Sequence, residues 1–180
     1  MLRIVDKTTR QQDLDFKPSE RVIFLAGPCP RGSTEQTQWQ NQWHAAAVGL
    51  VKQYTSWEDT TVCIPLPYET DKAFEEGVAW EDTCMERADA ILFWVPRDLE
   101  KLPGFTTNVE FGEYLKSGKI ILAYPEGAPK MRYMAVKARW HDIPVSHDLE
   151  GAVREAVSLA ASRATQRNRP EADSLGAFLS

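Results

Sequence analysis

The stretch Ala90–Pro96, AILFWVP, is the most apolar run of the chain, and it predicts a buried strand at the centre of a sheet. Shorter apolar runs that end in turn residues predict further strands. These runs are RVIFLAG (Arg21–Gly27), TVCIPL (Thr61–Leu66) and KIILAYP (Lys119–Pro125). A weaker segment, Ile143–Val145, predicts a fifth strand near the end of the series.

Segments with helical periodicity lie between these strands. In chain order they are Trp39–Tyr54, Val78–Ala88, a helix within Leu102–Lys119 that Gly118 closes, Tyr133–Ala138 and Leu149–Ala164. Strands that alternate with helices pair in parallel through right-handed crossovers. The sequence therefore predicts an α/β fold with a doubly wound sheet of five parallel strands, in the flavodoxin-like order 2-1-3-4-5, and helices on both faces.

The length of 180 residues fits one domain, for which we expect an N-terminal extension (1–20), a core domain (21–162) and a C-terminal tail (163–180). The two flanking segments are expected to fall outside the core. The tail is mostly polar, which favours disorder, but it ends in LGAFLS, an apolar patch able to dock on a neighbouring subunit. Asp89, at the entrance of the central strand, is expected to be a structural cap.

Composition excludes several classes of function. The net charge of -5 argues against a nucleic-acid polymer as partner, and no apolar run is long enough to span a membrane. Three cysteines without a CxxC spacing suggest neither a disulfide framework nor a zinc site, and the three histidines show no ligand spacing, so no metal is expected. The beginning of the chain lacks the apolar stretch of a signal peptide. A cytoplasmic location is expected.

Three loops rich in Gly, Pro and polar residues are expected beyond the carboxyl ends of the strands, where such sheets bind ligands at the point of strand reversal. They are GPCPRGSTEQ (Gly27–Gln36), PLPYE (Pro65–Glu69) and PRDLEKLPGFTTN (Pro96–Asn108). The first has neither a P-loop nor a G-x-G-x-x-G pattern, so no nucleotide cofactor is expected. It does place Arg31, Gly32 and Ser33 just before a helix, a layout that can hold an anion or only turn the chain.

Glu110 is an acidic residue between Val109 and Phe111, close to the start of the third helix. The segment Thr107–Glu110 fits a capping box, in which the glutamate reaches back to the first residue of the helix. The alternative is a ligand-facing carboxylate, because a helix that follows the central strand begins at the binding cleft. The helix dipole is then expected to keep this carboxylate ionised, as a nucleophile requires. Spacing leaves both interpretations open.

Two segments resemble the nucleoside 2-deoxyribosyltransferase-like family, and the resemblance runs from about Arg21 to Val157. FLAGPCPRG (Phe24–Gly32) resembles the opening strand and loop of that family. VAWEDTCMERADAILFWVPRDLEKLPGFTTNVEFGEYLKSGK (Val78–Lys119) resembles its central block. In that block an acidic residue lies a helix ahead of an Ala-Asp pair, and a Glu-x-Gly begins the next helix, which ends in Gly-Lys.

The resemblance implies roles for particular residues. Glu110 matches the nucleophile, and Glu81 matches the acidic residue that contacts the nucleoside. The chain departs from the family in having Glu where better-studied transferases have Asp at position 81. The family also has a second Asp some six residues before the nucleophile, which falls near Gly104 here, and Asn108 is a candidate to share its role.

The implied function is an enzyme that cleaves the N-glycosidic bond of a 2'-deoxynucleoside through a covalent glycosyl-Glu intermediate. The sugar then passes to another nucleobase or to water, a reaction of nucleotide salvage. The remaining candidate binding residues are Gly27, Pro28, Arg31, Gly32, Ser33, Trp80, Phe105 and Asn108, of which the aromatic ones, with Tyr68, could stack on a base. The expected partners are a nucleoside or nucleotide and a free nucleobase, and the family implies a homo-oligomer with shared active sites.

Two alternatives stay open from sequence. The segment PRGS (Pro30–Ser33) looks like the phosphate-binding loop of related enzymes that hydrolyse nucleoside 5'-monophosphates, so an N-glycosidase of that type is the second candidate. A catalytically silent nucleotide-binding module is the third, and it would bind its ligand without needing the carboxylate of Glu110.

Overall fold

The computed structural model describes residues 2–29, 43–55, 59–66 and 74–168. Its strands are β1 (Leu2–Asp6), β2 (Arg21–Ala26), β3 (Thr60–Ile64), β4 (Ala90–Trp94), β5 (Ile120–Ala123) and β6 (Val145–Ser146). Its helices are α1 (Trp43–Tyr54), α2 (Phe74–Arg87), α3 (Phe105–Tyr114), α4 (Arg132–Trp140) and α5 (Leu149–Arg167), with a short 3-10 turn at Gln11–Asp13. Among these described residues, no helix is both long and apolar enough to cross a membrane.

The described strands form one six-stranded parallel sheet in the order β1-β3-β2-β4-β5-β6. Strands β2 to β6 alone have the predicted flavodoxin-like order, with β4 and β2 side by side in the middle, so the doubly wound α/β fold is confirmed. The predicted number of five strands is wrong. The sixth strand, β1, comes from the N-terminal extension that was expected outside the core, and it pairs with β3 from Leu2–Thr60 to Asp6–Ile64.

Both faces of the sheet are covered, as the continuous apolar run of β4 predicts. Alternate residues of β4 enter two separate cores, Ile91 and Phe93 on one face and Leu92 and Trp94 on the other. Helices α2, α3 and α4 contribute to the first core, and α1 and α5 to the second. The arrangement places α2, which precedes β4, and α3, which follows it, on the same face of the sheet.

Helix α3 begins at Phe105, after Gly104, whose φ of 63° is left-handed and is tolerated because glycine has no Cβ. Thr107 is therefore inside the first turn and is not the cap, so the capping-box interpretation of Thr107–Glu110 is wrong. Gly118 has the predicted left-handed conformation, with φ of 67°. At the other end of the chain, α5 continues to Arg167 and into the predicted tail, while LGAFLS lies outside the described residues.

Asp89 is buried at the amino end of β4 and joins three parts of the molecule. Its carboxylate accepts a hydrogen bond from the backbone N–H of Val22 at 2.9 Å and forms ion pairs with Arg87 and Arg167. Arg167, near the end of α5, also donates to the backbone oxygens of Pro18 and Glu20. These contacts support the interpretation of Asp89 as a structural residue.

We expect Asp89→Asn to lower the free energy of unfolding by about 2 kcal/mol, because hydrogen bonds to a charged group are lost or weakened in a buried position. The measurement is urea unfolding at neutral pH, with Asp15→Asn as the control because the side chain of Asp15 is exposed. Equal stability of the two variants would show that the Asp89 cluster does not anchor α5 and the strand entrance.

Candidate active site

A cavity of about 820 Å³ opens between α2, α3 and the segment that follows β1. The described residues that line it come from three places: Lys7, Thr8, Thr9, Arg10, Gln11 and Gln12 before β2; Phe74, Glu76, Gly77, Val78, Trp80, Glu81, Asp82 and Met85 on α2; and Thr106, Val109, Glu110 and Glu113 on α3. The cavity brings together both acidic residues, Glu81 and Glu110, that the family resemblance singles out.

The helical period explains why Glu110 faces this cavity. Residues three and four apart share a helix face, and Thr106, Val109, Glu110 and Glu113 are spaced in this way along α3. Phe111, one residue further, turns into the core and meets Phe93 edge to face, with ring centroids 5.5 Å apart. Glu110 therefore lies at the boundary between two faces of α3: the face that packs on the core and the face that lines the cavity.

Burial in the cavity raises the pKa of Glu110 from 4.5 to about 8, with a further rise from the nearby carboxyl group of Glu81 and a partial offset from Lys7. The expectation that the helix dipole keeps Glu110 ionised is therefore wrong. Glu110 is the sixth residue of α3, beyond the first turn in which the dipole acts strongly, so desolvation outweighs it. Near neutral pH, burial therefore favours the protonated form of Glu110.

Glu81 lies on the buried side of α2 and forms an ion pair with Lys7, whose Nζ is 2.5 Å from Glu81 Oε1. Burial raises the pKa of Glu81, and the charge and hydrogen bond of Lys7 act in the opposite direction. Glu81 and Glu110 thus differ in their surroundings, because Glu81 has the ammonium group of Lys7 at contact distance.

Of the other predicted binding residues on α2 and α3, Trp80 lines the cavity, whereas Phe105 and Asn108 do not. Trp80 lines the cavity and packs against Phe24, and its Nε1 has no hydrogen-bond partner within the described part of the chain. Asn108 is outside the cavity lining and accepts a hydrogen bond from Arg97. Phe105, which is 69% exposed, is also outside the lining. The structure does not bring these last two residues together with Glu110.

Gly27 and Pro28 are buried where β2 leaves the sheet, but they are not among the cavity-lining residues. A Cβ atom at Gly27 would lie 2.2 Å from the backbone oxygen of Trp94, and one at Gly104 would lie 3.3 Å from Cβ of Pro28. These residues therefore let the loop after β2 pass close to the end of β4. Arg31, Gly32 and Ser33, with Tyr68, lie outside the described residues, so the anion-binding loop stays a prediction.

Sequence reasoning missed the contribution of the N-terminal segment, above all Lys7. The side chain of Lys7 is 7% exposed, although lysine normally reaches solvent. No periodic signal distinguishes Lys7 from the other lysines, because its burial depends on the pairing of β1 with β3. Asp82 and Glu113 were also missed. Within the described residues, no group of three or more His, Cys, Asp or Glu side chains has the arrangement of a metal site.

Comparison with known proteins gives one informative match. A family model described as "Nucleoside 2-deoxyribosyltransferase like" matches residues 20–128, which include Glu81 and Glu110 but exclude β1 and Lys7. No curated protein matches the chain. Among solved structures, an X-ray structure of an oxidoreductase from Corynebacterium diphtheriae has 12% sequence identity and a TM-score of 0.44, and the match covers 82% of this chain and 98% of that one. A similarity this low carries no functional argument.

Proposed function

The chain belongs to the nucleoside 2-deoxyribosyltransferase-like family, and from this premise we propose that it cleaves the N-glycosidic bond of a 2'-deoxynucleoside and transfers the sugar to another nucleobase or to water. The observation that carries the proposal is that Glu110 and Glu81 line the same cavity. Titratable groups with shifted pKa values that share a cleft are typical of catalytic sites.

In the proposed reaction, Glu110 is the nucleophile. The ionised carboxylate, which is the minor form at neutral pH and becomes the main form above about pH 8, attacks C1' of the sugar as the C1'–N bond breaks. The electron pair of that bond leaves with the nucleobase. The transition state has oxocarbenium character, which the carboxylate charge stabilises before it closes the ester. The base takes up a proton from a cavity acid or from water. A second base or a water molecule then attacks C1' and gives up a proton, while the C1'–O bond of the ester breaks and frees the carboxylate of Glu110. Two displacements at C1' retain the configuration overall.

Glu81 is proposed to contact the nucleobase, either by accepting a hydrogen bond from it or by giving it a proton. Trp80, next to Glu81, presents an aromatic wall with an indole N–H that has no partner among the described residues. A base bound against this wall meets an apolar surface, because the indole N–H itself is buried and does not reach the cavity. The cavity thus offers the mixture of apolar and polar groups that small-molecule sites use.

The charge of the cavity favours a nucleoside over a nucleoside 5'-monophosphate. Among the described lining residues, five carboxyl groups (Glu76, Glu81, Asp82, Glu110 and Glu113) face two cations (Lys7 and Arg10). A phosphate group would add negative charge to a site that is already acidic, and like charges at close range are unfavourable. The N-glycosidase alternative depends on Arg31 and Ser33, which lie outside the described residues.

The proposal is tested by chromatography of a panel of 2'-deoxynucleosides and their 5'-monophosphates, each incubated with and without a free acceptor base. We expect release of base from the deoxynucleosides, formation of a new nucleoside when an acceptor is present, and slower conversion of the monophosphates. Conversion restricted to monophosphates would favour the N-glycosidase. Binding without any conversion would favour the catalytically silent module.

A further inference from the structure

The segment before residue 20 lies outside the family match, yet residues 7–12 line the cavity. Strand β1 pairs with β3 along its whole length, and the ladder continues one residue further, where the backbone N–H of Lys7 donates to the oxygen of Leu66 at 3.0 Å. The side chain of Asp6 then accepts a hydrogen bond from the backbone N–H of Thr8 at 3.0 Å. These contacts fix the backbone of Lys7 at the rim of the site.

The side chain of Lys7 reaches Glu81 across α2. Gly77 lies one helical turn before Glu81, and a Cβ atom there would be 3.3 Å from Nζ of Lys7, so the glycine leaves room for the lysine. The ion pair is shielded from solvent, because the side chains are 7% and 12% exposed. Removing one member of such a pair leaves an uncompensated buried charge, unless the remaining group becomes neutral.

We propose that Lys7 is a positioning residue of this site, which holds Glu81 as an ionised hydrogen-bond acceptor directed at the nucleobase. Glu81 then accepts a hydrogen bond from an N–H group of the base, such as the amino group of adenine or cytosine, instead of giving the base a proton. The inference rests on the proposed function, since it assumes that a nucleoside occupies the cavity.

The charged groups around Glu81 determine the direction of the expected titration. They are Lys7 and Arg10 from the N-terminal segment, Glu76 and Asp82 from α2, and Glu110 and Glu113 from α3. Burial raises the pKa of both Glu81 and Glu110, and Lys7 opposes the rise in both. Because the charge of Lys7 lowers the pKa of each carboxyl group, loss of that charge moves both ionisations to higher pH.

The first test needs no substrate. The full-length protein is labelled with 13C at the glutamate side-chain carboxyl, and NMR follows the titration of Glu81 and Glu110, which are assigned with Glu81→Gln and Glu110→Gln. We expect Lys7→Met to raise the titration midpoint of Glu81 by about one pH unit or more, whereas Lys7→Arg stays near wild type. Lys52→Met, at an exposed position on α1, is the matched control. An unchanged midpoint in Lys7→Met would overturn the proposal.

Lys7→Gln is measured alongside, since its amide still carries a hydrogen-bond donor but no charge. It should give the same upward shift of the Glu81 titration, and it keeps the test decisive if the methionine variant does not fold. A midpoint equal to that of wild type in the glutamine variant would also overturn the proposal.

The second test is kinetic, with 2'-deoxyadenosine and 2'-deoxycytidine as substrates. We expect Lys7→Met to raise KM on the order of tenfold, with a smaller change in kcat, and Lys7→Arg to restore most of the loss. Full activity of Glu110→Gln would contradict the proposed function and leave the titration result standing. An inactive Glu110→Gln together with an unshifted Glu81 titration in Lys7→Met would contradict the role of Lys7 alone.

Discussion

Glu110→Gln is expected to lower turnover by several orders of magnitude with little loss of melting temperature. Glutamine keeps the shape of the side chain and much of its hydrogen bonding but cannot attack C1', so the effect is felt in the transition state. The measurement compares initial rates on a converted deoxynucleoside with thermal unfolding curves of the same samples. Glu113→Gln, one turn further along α3, is the matched control and should cost far less activity.

The pH dependence of stability gives this variant a second expected signature. Glu110 has a pKa of about 8 in the folded protein and an ordinary value near 4.5 in the unfolded chain. The contribution of Glu110 to the free energy of unfolding is therefore fully present below the unfolded pKa and is lost as the pH rises through about 8. The reason is that the unfolded chain releases this proton at a lower pH than the folded protein does. Glu110→Gln has no such proton, so it should melt at a higher temperature than wild type at alkaline pH.

Covalent trapping identifies the nucleophile directly. A substrate with fluorine at C2' destabilises the oxocarbenium-like state, so the second step slows and the glycosyl ester accumulates. We expect the added mass on the peptide that contains Glu110. Wild-type turnover of Glu110→Gln, or an adduct on another peptide, would contradict the mechanism proposed for this cavity.

The second large effect is a loss of stability, which we expect when Gly27 is replaced by alanine. In Gly27→Ala the new methyl group would begin 2.2 Å from the backbone oxygen of Trp94 and 2.8 Å from the ring of Trp43, so the chain after β2 has to move. Neither obstacle is the end of a flexible side chain. We expect a loss on the order of 3 kcal/mol or more in the free energy of unfolding, from overpacking between the two central strands. The measurement is urea unfolding.

Gly49→Ala is the matched control for this substitution. Gly49 lies inside α1, and a Cβ atom there meets nothing within 4 Å. Alanine favours a helix over glycine by about 1 kcal/mol, so this variant should be slightly more stable than wild type. If Gly27→Ala retained wild-type stability, the close approach of β2 to the carbonyl of Trp94 would not constrain the fold.

The sequence predicts the central sheet well because β2 to β5 are short apolar runs, and burial on both faces leaves a strong signal in each of them. Strand β1 was missed because Val5 alone is buried among its five residues, as expected for the edge of a sheet. The start of α3 was misplaced because the left-handed Gly104 sets it, while the local pattern offered a plausible capping box at Thr107.

Some residues of the candidate site could likewise be predicted from the sequence, and others could not. Glu110 and Glu81 could be named from the resemblance to a family, and the structure brings them to one cavity. Asn108 was a weaker candidate because residues two apart on a helix point about 200° apart, so it turns away from the face of Glu110. Lys7 could not be found, since its position depends on pairing between segments far apart in sequence. The pKa of Glu110 could not be predicted either, because it depends mainly on burial in the cavity, which the local sequence does not show.

The parallel pairing of β1 with β3 also affects the order in which the molecule can assemble. Leu2 emerges from the ribosome well before its partner Thr60, and β2 and α1 lie between them in the chain. Contacts between distant segments form slowly because the connecting loop must be closed first. Strand β1 therefore cannot dock until β3 has been made. Glu81 lies on α2, beyond β3 in the chain, so Lys7 is made long before the carboxylate with which it pairs, and the ion pair forms only once both segments are present.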